Sequence, residues 1–330
     1  MILDIAFFLI GLILILAAAE LFTNGVEALG HKLNLSTNFT GSVLAAVGTA
    51  LPETILPIIA VVFFSESAGH EIGVGAILGA PFMLSTLAFP LIGITAIILF
   101  LMKKRDLGLD IEEVGLRRDI VFFLFAYSIA MFIIPYESHS LRIFTALFLL
   151  GLYFIYAYMT LTGESEELEE VDGIYFSGGK DYSLGLVILQ VVISLVFMIG
   201  GAHLFVHGIE KVSLAAGFSP LLFSLLVAPI ATELPEKVNS VLWVMRGKDS
   251  LAVGNVSGAM VFQSTIPVSF GIVFTEWDIT GLALVSGIFT IMAGFLVLVF
   301  SYINKKILPI GMTIGILFFL TYIYLIINGI

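Results

Sequence analysis

Apolar residues in this chain are not interleaved with polar ones at a strand or surface-helix period; they run on for whole spans. Ten such stretches stand out, approximately 2–29, 36–63, 71–102, 119–135, 141–161, 183–211, 218–245, 250–275, 279–302 and 307–328. A helix needs about 20 mostly apolar residues to cross a bilayer, so the pattern predicts an all-α polytopic membrane protein with ten transmembrane helices. Polar residues collect between the stretches. The largest such segment, 162–182, holds Glu164, Glu166, Glu167, Glu169, Glu170, Asp172 and Asp181 against one base, Lys180. It divides the chain into a first membrane repeat (1–161), an acidic linker (162–182) and a second membrane repeat (183–330).

The two halves repeat each other. Pairing each residue with the one 183 positions later aligns Ala18–Glu53 with Gly201–Glu236 without a gap. Eleven of the 36 pairs are identical, where so biased a composition would give roughly three or four. Beyond the glutamates the offset falls to 179, leaving four extra residues in the first-half loop around Ser65–Glu71. The match then resumes as Gly75/Gly254, Gly79/Gly258, Ala80/Ala259, Ser85/Ser264 and Thr86/Thr265. Five spans per half is an odd number, which predicts that the repeats lie in opposite orientations.

Lysine and arginine set the sidedness. With the N-terminus outside, eleven of the 14 bases fall in inside loops, Arg142 and Lys211 fall outside, and Lys237 lies within a span. The expectation is an integral cell-membrane protein with both termini outside and the linker in the cytoplasm.

Composition narrows the chemistry. The hydrophobic fraction of 59% and mean hydropathy of +1.12 put lipid around most of the surface. The absence of cysteine excludes disulfides and thiolate metal sites. A net charge of −11 argues against nucleic acid. The Met1–Ala19 run has no basic n-region of a cleaved leader. The spans contain no metalloprotease motif and no nucleophile–base pair, so no enzyme activity and no cofactor are expected.

One duplicated element places acid where acid is expensive. Val47-Gly48-Thr49-Ala50-Leu51-Pro52-Glu53 returns as Ile230-Ala231-Thr232-Glu233-Leu234-Pro235-Glu236. An intramembrane carboxylate costs about 2.5–3.5 kcal/mol and so needs a reason, and the preceding proline removes a helical donor. Breaks at Gly48–Pro52 and Pro229–Pro235 are predicted to free carbonyls at Val47 or Thr49 and at Ile230 or Thr232. Paired broken helices in corresponding places of two halves point to the ion site of a secondary transporter. Carboxylates with carbonyl oxygens suit a hard divalent cation such as Ca2+.

The duplicated Gly-Thr-x-Leu-Pro-Glu element, the glycine-rich span after it and the two five-span halves resemble the sodium/calcium exchangers of the cation/Ca2+ exchanger superfamily. The resemblance implies that Glu53 and Glu236 are central Ca2+ ligands, that Thr49 and Thr232 supply carbonyls, and that two long tilted spans slide to alternate access. Departures from the family pattern fall at its sodium sites. The serine of its Gly-Thr-Ser is Ala50 in one half and Glu233 in the other. The serines of its Gly-Asn-x-x-Gly-Ser span are Ala80 and Ala259, and the polar residue four positions later is Leu84 or Gln263. The expected activity is therefore antiport of Ca2+ against Na+ or H+, with the metal held by Glu53, Glu236, Thr49, Thr232, Glu233 and Gln263. The alternative on the same fold is a Ca2+/H+ exchanger or an exchanger of another cation; a channel or non-transporting sensor ranks below it. The partners expected are inorganic cations and the bilayer, with no protein partner inferred.

Three further features need placing. Glu20, Asn24 and Glu27 share one helix face with spacing i, i+4, i+7, mirrored by His203, His207 and Glu210. The histidines suit a metal or proton path, or the stripe faces the bundle interior and finds hydrogen bonds. Gly75/Gly79 and Gly254/Gly258 have the spacing that lets helices approach closely, predicted to press the third and eighth spans on the broken helices. The acidic linker lacks EF-hand spacing and is read as a solvated tether.

Overall fold

The computed structural model describes residues 2–33, 45–64, 66–133, 138–161, 173–177, 182–303 and 308–328. Among them every regular element is helical. The long continuous helices are α1 (Ile2–Lys32), α2 (Ala45–Phe63), α6 (His139–Leu161), α7 (Leu184–Ala216) and α12 (Gly281–Ile303). The remaining apolar stretches are interrupted. α3 (Glu66–Met83) passes through a π-helical turn, Leu84–Ala88, into α4 (Phe89–Leu101). α5 (Glu113–Ser128) ends in a second π turn, Ile129–Ile133. α8 (Pro220–Thr232) is followed by α9 (Leu234–Met245), α10 (Asp249–Gln263) by α11 (Ile266–Phe274), and α13 (Pro309–Thr313) by α14 (Gly315–Asn328).

Among the described residues seven helices are long and apolar enough to cross a membrane, and Ala50–Phe63 and Pro220–Ile230 are shorter apolar helices. The difference from ten uniform spans has local causes. The predicted second span begins at 36, and 36–44 lie outside the described residues. The predicted seventh span is split at Glu233 (φ −96°, ψ 7°), and the fourth is the shorter, charged helix Glu113–Ser128 with its π turn; the eighth, although irregular at Thr265 (φ −117°, ψ −67°), still counts among the seven. The extra first-half residues fall at the start of α3, which begins at Glu66.

Helix ends are set by familiar chemistry. The Ser183 and Ser219 hydroxyls each accept a first-turn backbone N–H, from Leu186 and Leu222, both at 3.2 Å, the usual N-cap arrangement. Pro220 follows in the first turn, where its missing N–H costs nothing. α7 stops at Gly217, whose φ of 78° is left-handed and open to glycine without a Cβ clash.

Packing is organised by close backbone approach. α1 and α7 lie along each other where a Cβ on Gly11 would meet the backbone of Gly201 and Phe205, and one on Gly208 the backbone of Phe8. α3 and α8 are pressed together in the same way, with Gly75 against the Leu221 carbonyl and Gly79 against that of Leu225. Pro229 has no N–H to offer the Leu225 carbonyl. Gly254 meets nothing and Gly258 only the Tyr156 hydroxyl, so the second-half glycines lack the close-packing role predicted for them. The main apolar core runs through Phe82, Phe89, Phe123, Val256, Met260 and Trp277.

Loops meet in two sets. Lys32 stacks over the Tyr182 ring, 4.7 Å from its centroid, and Arg105 grips Asp249 through paired bonds, Nη1 to Oδ1 at 2.8 Å. Elsewhere Arg142 donates to the Glu276 carbonyl at 2.6 Å, and the Leu221 N–H donates to Glu71 at 3.4 Å.

Candidate cation site

Glu53 sits in the middle of α2, one residue after Pro52. The break predicted at Gly48–Pro52 is absent: α2 is continuous through both Pro52 and Pro57. One proline deletes a single helical bond, and the Thr54 hydroxyl, donating to the Ala50 carbonyl at 3.1 Å, ties the turn across it. The second copy does break. Pro229 and Pro235 remove two donors within two turns, and the chain leaves the helix at Glu233 before restarting at Leu234. Glu236 lies in the first turn of α9, where free N–H groups and the helix dipole favour a negative charge.

The two duplicated glutamates lie within electrostatic range of each other. Glu233 lies within range of Glu53 as well. Glu53 is 7% exposed, and both of its carboxylate oxygens, with Oε2 of Glu236, are buried without a hydrogen-bond partner among the described residues. Buried carboxylate oxygens almost always have partners, so these are open acceptors.

Glu233 is different. It is 1% exposed and saturated: Oε2 accepts from Lys237 Nζ at 2.8 Å and Oε1 from Gln263 Nε2 at 3.0 Å. The Lys237 ammonium also donates to the Pro229 carbonyl at 3.3 Å. Gln263 keeps its own Oε1 buried and unpartnered. Thr232 is buried beside the break, its hydroxyl donating to the Ala228 carbonyl at 3.2 Å. Thr49 falls on the α2 backbone, and its side chain lies outside the described ones.

Sequence reading missed the irregular turns of the following spans, which occupy duplicated positions. In the first copy the hydroxyls of Ser85 and Thr86 both bond back to the Phe82 carbonyl, at 3.1 and 2.6 Å, within the π turn. In the second, Ser264 and Thr265 bond back to Val261, at 3.0 and 2.8 Å, at the α10–α11 break. The signal was available: Ser-Thr pairs inside apolar runs compete for helical carbonyls. Leu84 is a buried core residue.

The polar stripe divides. Asn24 donates to the Gly173 carbonyl at 3.0 Å and accepts from Gln190 at 2.9 Å, while Tyr175 donates to Glu20 at 2.8 Å. The described part of the linker, 173–177, is thus docked on α1 and α7, with Ile174 2% exposed. The histidines do not converge: His203 packs on Phe63 and Phe64, and His207 lies 3.9 Å from Asp4. No group of three metal-capable side chains among His, Cys, Asp and Glu forms among the described residues. A cavity of about 830 Å3, lined in part by Glu71, Glu276, Asp278 and Ser219, lies between the start of α3, the start of α8 and the α11–α12 loop.

The family model for sodium/calcium exchanger proteins matches residues 3–162 and 186–328, both halves with the acidic linker between them. The chain belongs to the sodium/calcium exchanger family. Among curated relatives of this family member, a membrane protein of Methanocaldococcus jannaschii is 27% identical over 98% of this chain and 97% of its own. CaxA of Alkalimonas amylolytica, named as an antiporter, is 24% identical over 88% and 87%. Among solved structures, the H+/Ca2+ exchanger CAX superposes with a TM-score of 0.66 at 18% identity, covering 97% of this chain and 87% of CAX. The sodium-calcium exchanger NCX_Mj soaked with zero Na+ and Ca2+ gives 0.57 at 25% identity, covering 100% and 99%.

Proposed function

We propose that this exchanger-family member is a secondary antiporter that carries Ca2+ in one direction against Na+ or H+ in the other, by alternating access. The observation that carries the reading is the pair Glu53 and Glu236, within electrostatic range of each other, with both oxygens of Glu53 and Oε2 of Glu236 buried and open. Two such carboxylates are strongly destabilising when empty, because their open oxygens leave most of the desolvation uncompensated. They are stable with a divalent cation, with two monovalent ones, or with protons. A site that cannot be left empty exchanges rather than leaks. Glu53, Glu236, the carbonyls of Thr49 and Thr232, and Oε1 of Gln263 form the metal's oxygen shell, with Glu233 in its wall.

The architecture we assign is ten passes in two inverted five-helix repeats, residues 1–161 and 183–330, joined by the cytoplasmic linker 162–182, with both termini outside. It is supported by the sequence repeat and by the meeting of loops that the ten-pass reading puts on one side: Lys32 with Tyr182, Arg105 with Asp249, and Arg142 with Glu276 across the other face. Seven long apolar helices leave the remaining passes to broken or charged segments. H+ as the counter-ion is favoured by the alanines at 80 and 259, which take hydroxyls out of the family's sodium positions.

The test is radiolabelled Ca2+ uptake into proteoliposomes under an outward Na+ gradient and, separately, an outward H+ gradient. One of the two drives uptake, and the Glu53→Gln/Glu236→Gln double variant abolishes it. Normal uptake by that variant would refute the glutamate pair as the site.

A further inference from the structure

At the duplicated motif and the residue after it, two of the differences between copies lie one helical turn apart and introduce charge. Where the first copy has Ala50 and Thr54, the second has Glu233 and Lys237. These substitutions make a unit: an i,i+4 ion pair with Glu233 1% and Lys237 6% exposed. Every other carboxylate oxygen buried at the site is open, whereas both oxygens of Glu233 are occupied. The ammonium is anchored from two directions, to the Glu233 carboxylate and to the Pro229 carbonyl at the helix break.

We propose that Lys237 is a resident cation that takes one place at the centre permanently, and so makes exchange electroneutral. The inference rests on the antiport reading and adds its charge count. Three carboxylates without a base would ask for three positive charges. With Glu233 held by Lys237, the charge that moving ions must balance is that of Glu53 and Glu236 alone. One divalent cation balances it, and so do two monovalent ones. The loaded site then has the same net charge in both directions of the cycle, and the membrane potential, which acts in proportion to the charge moved, has nothing to act on. Lys237 is a specificity-determining residue: it sets how many monovalent ions leave for each divalent ion that enters. It neutralises Glu233 as a bound monovalent ion would, but cannot be released.

The experiment measures Ca2+ uptake into proteoliposomes at zero potential and at a potential clamped by valinomycin and K+, together with the current on a solid-supported membrane. Wild type is expected to show the same rate at both potentials, no net current, and two monovalent charges moved per Ca2+. Lys237→Met opens Glu233 and raises that ratio toward three, with a current and a potential-dependent rate. Lys237→Arg and the charge-neutral Glu233→Gln/Lys237→Met pair both return the ratio to two; a purely structural role for the pair would leave it at two in all of them. Wild-type uptake carrying about one net charge per Ca2+ overturns the inference while leaving antiport standing, and this arm needs no variant to fold. Uptake under neither Na+ nor H+ gradient overturns both.

Discussion

At the scale of single residues, the centre sorts three glutamates of identical chemistry into two kinds. Glu53 and Glu236 have open buried oxygens, while Glu233 has a partner on each oxygen. That difference has a stability signature. Removing one member of a buried ion pair leaves the other charge uncompensated, typically at about 3–5 kcal/mol. Lys237→Met is therefore expected to lower stability by that order. Glu233→Gln/Lys237→Met should recover most of it, because a neutral pair of similar volume has no charge to desolvate. Thermal unfolding of detergent-solubilised protein measures both. Equal losses in the single and double variants would mean that Lys237 acts through packing alone. The adjacent pair Glu236–Lys237 shows why sequence spacing matters: neighbours in a helix point apart, and the ammonium turns to Glu233, four residues back, with Gln263 joining from another helix.

At the scale of helices, the glycines carry unequal duties that their matched spacing conceals. Gly79 lies on the Leu225 carbonyl of α8, whereas Gly254 faces open space. A methyl group at 79 forces two backbones apart, with overpacking costs of about 1–3 kcal/mol. At 254 alanine meets nothing and gains about 0.5–1 kcal/mol of helix propensity. Gly79→Ala should lower the midpoint of thermal unfolding and Gly254→Ala should raise it; changes of the same sign would contradict the assignment. Helix breaks were only half legible. The proline before each glutamate predicted a break in both copies, yet α2 runs straight through Pro52 while the second copy parts at Glu233. A proline states which bond is missing, but not whether the neighbouring turns hold. The π turn at Leu84–Ala88 and the break at Ser264–Thr265 fall at matched positions, marked in the sequence only by their Ser-Thr pairs.

At the scale of the molecule, the proposed sidedness rests on where the bases fall, and the absence of native cysteine makes it directly measurable. Cysteine introduced by Asp278→Cys, between α11 and α12, should react with an impermeant maleimide in intact cells. Lys104→Cys, in the loop after α4, should react only after permeabilisation. The reverse pattern would invert the topology and place the linker outside. The described linker residues 173–177 are not a free tether: Tyr175 and Gly173 are bonded to α1, and Phe176 N–H to Gln190 of α7 at 3.1 Å. The polar stripe of Glu20 and Asn24 thus serves to dock this segment, a role that the acidic composition of 162–182 did not suggest.

What this sequence determined alone was whatever depends on solvent and symmetry. Long apolar runs can only be membrane helices, because lipid offers their backbone no partners. A motif written twice, with glutamate where charge is costly, marks out the proposed centre from the sequence alone. The tertiary structure decided how those charges are matched. Burial raises the cost of an unpaired carboxylate, but the donors that satisfy it come from other helices and other turns. Lys237 and Gln263 close on Glu233 and leave Glu53 and Glu236 open, a division that depends on distances between side chains 4 to 30 residues apart and on no local pattern.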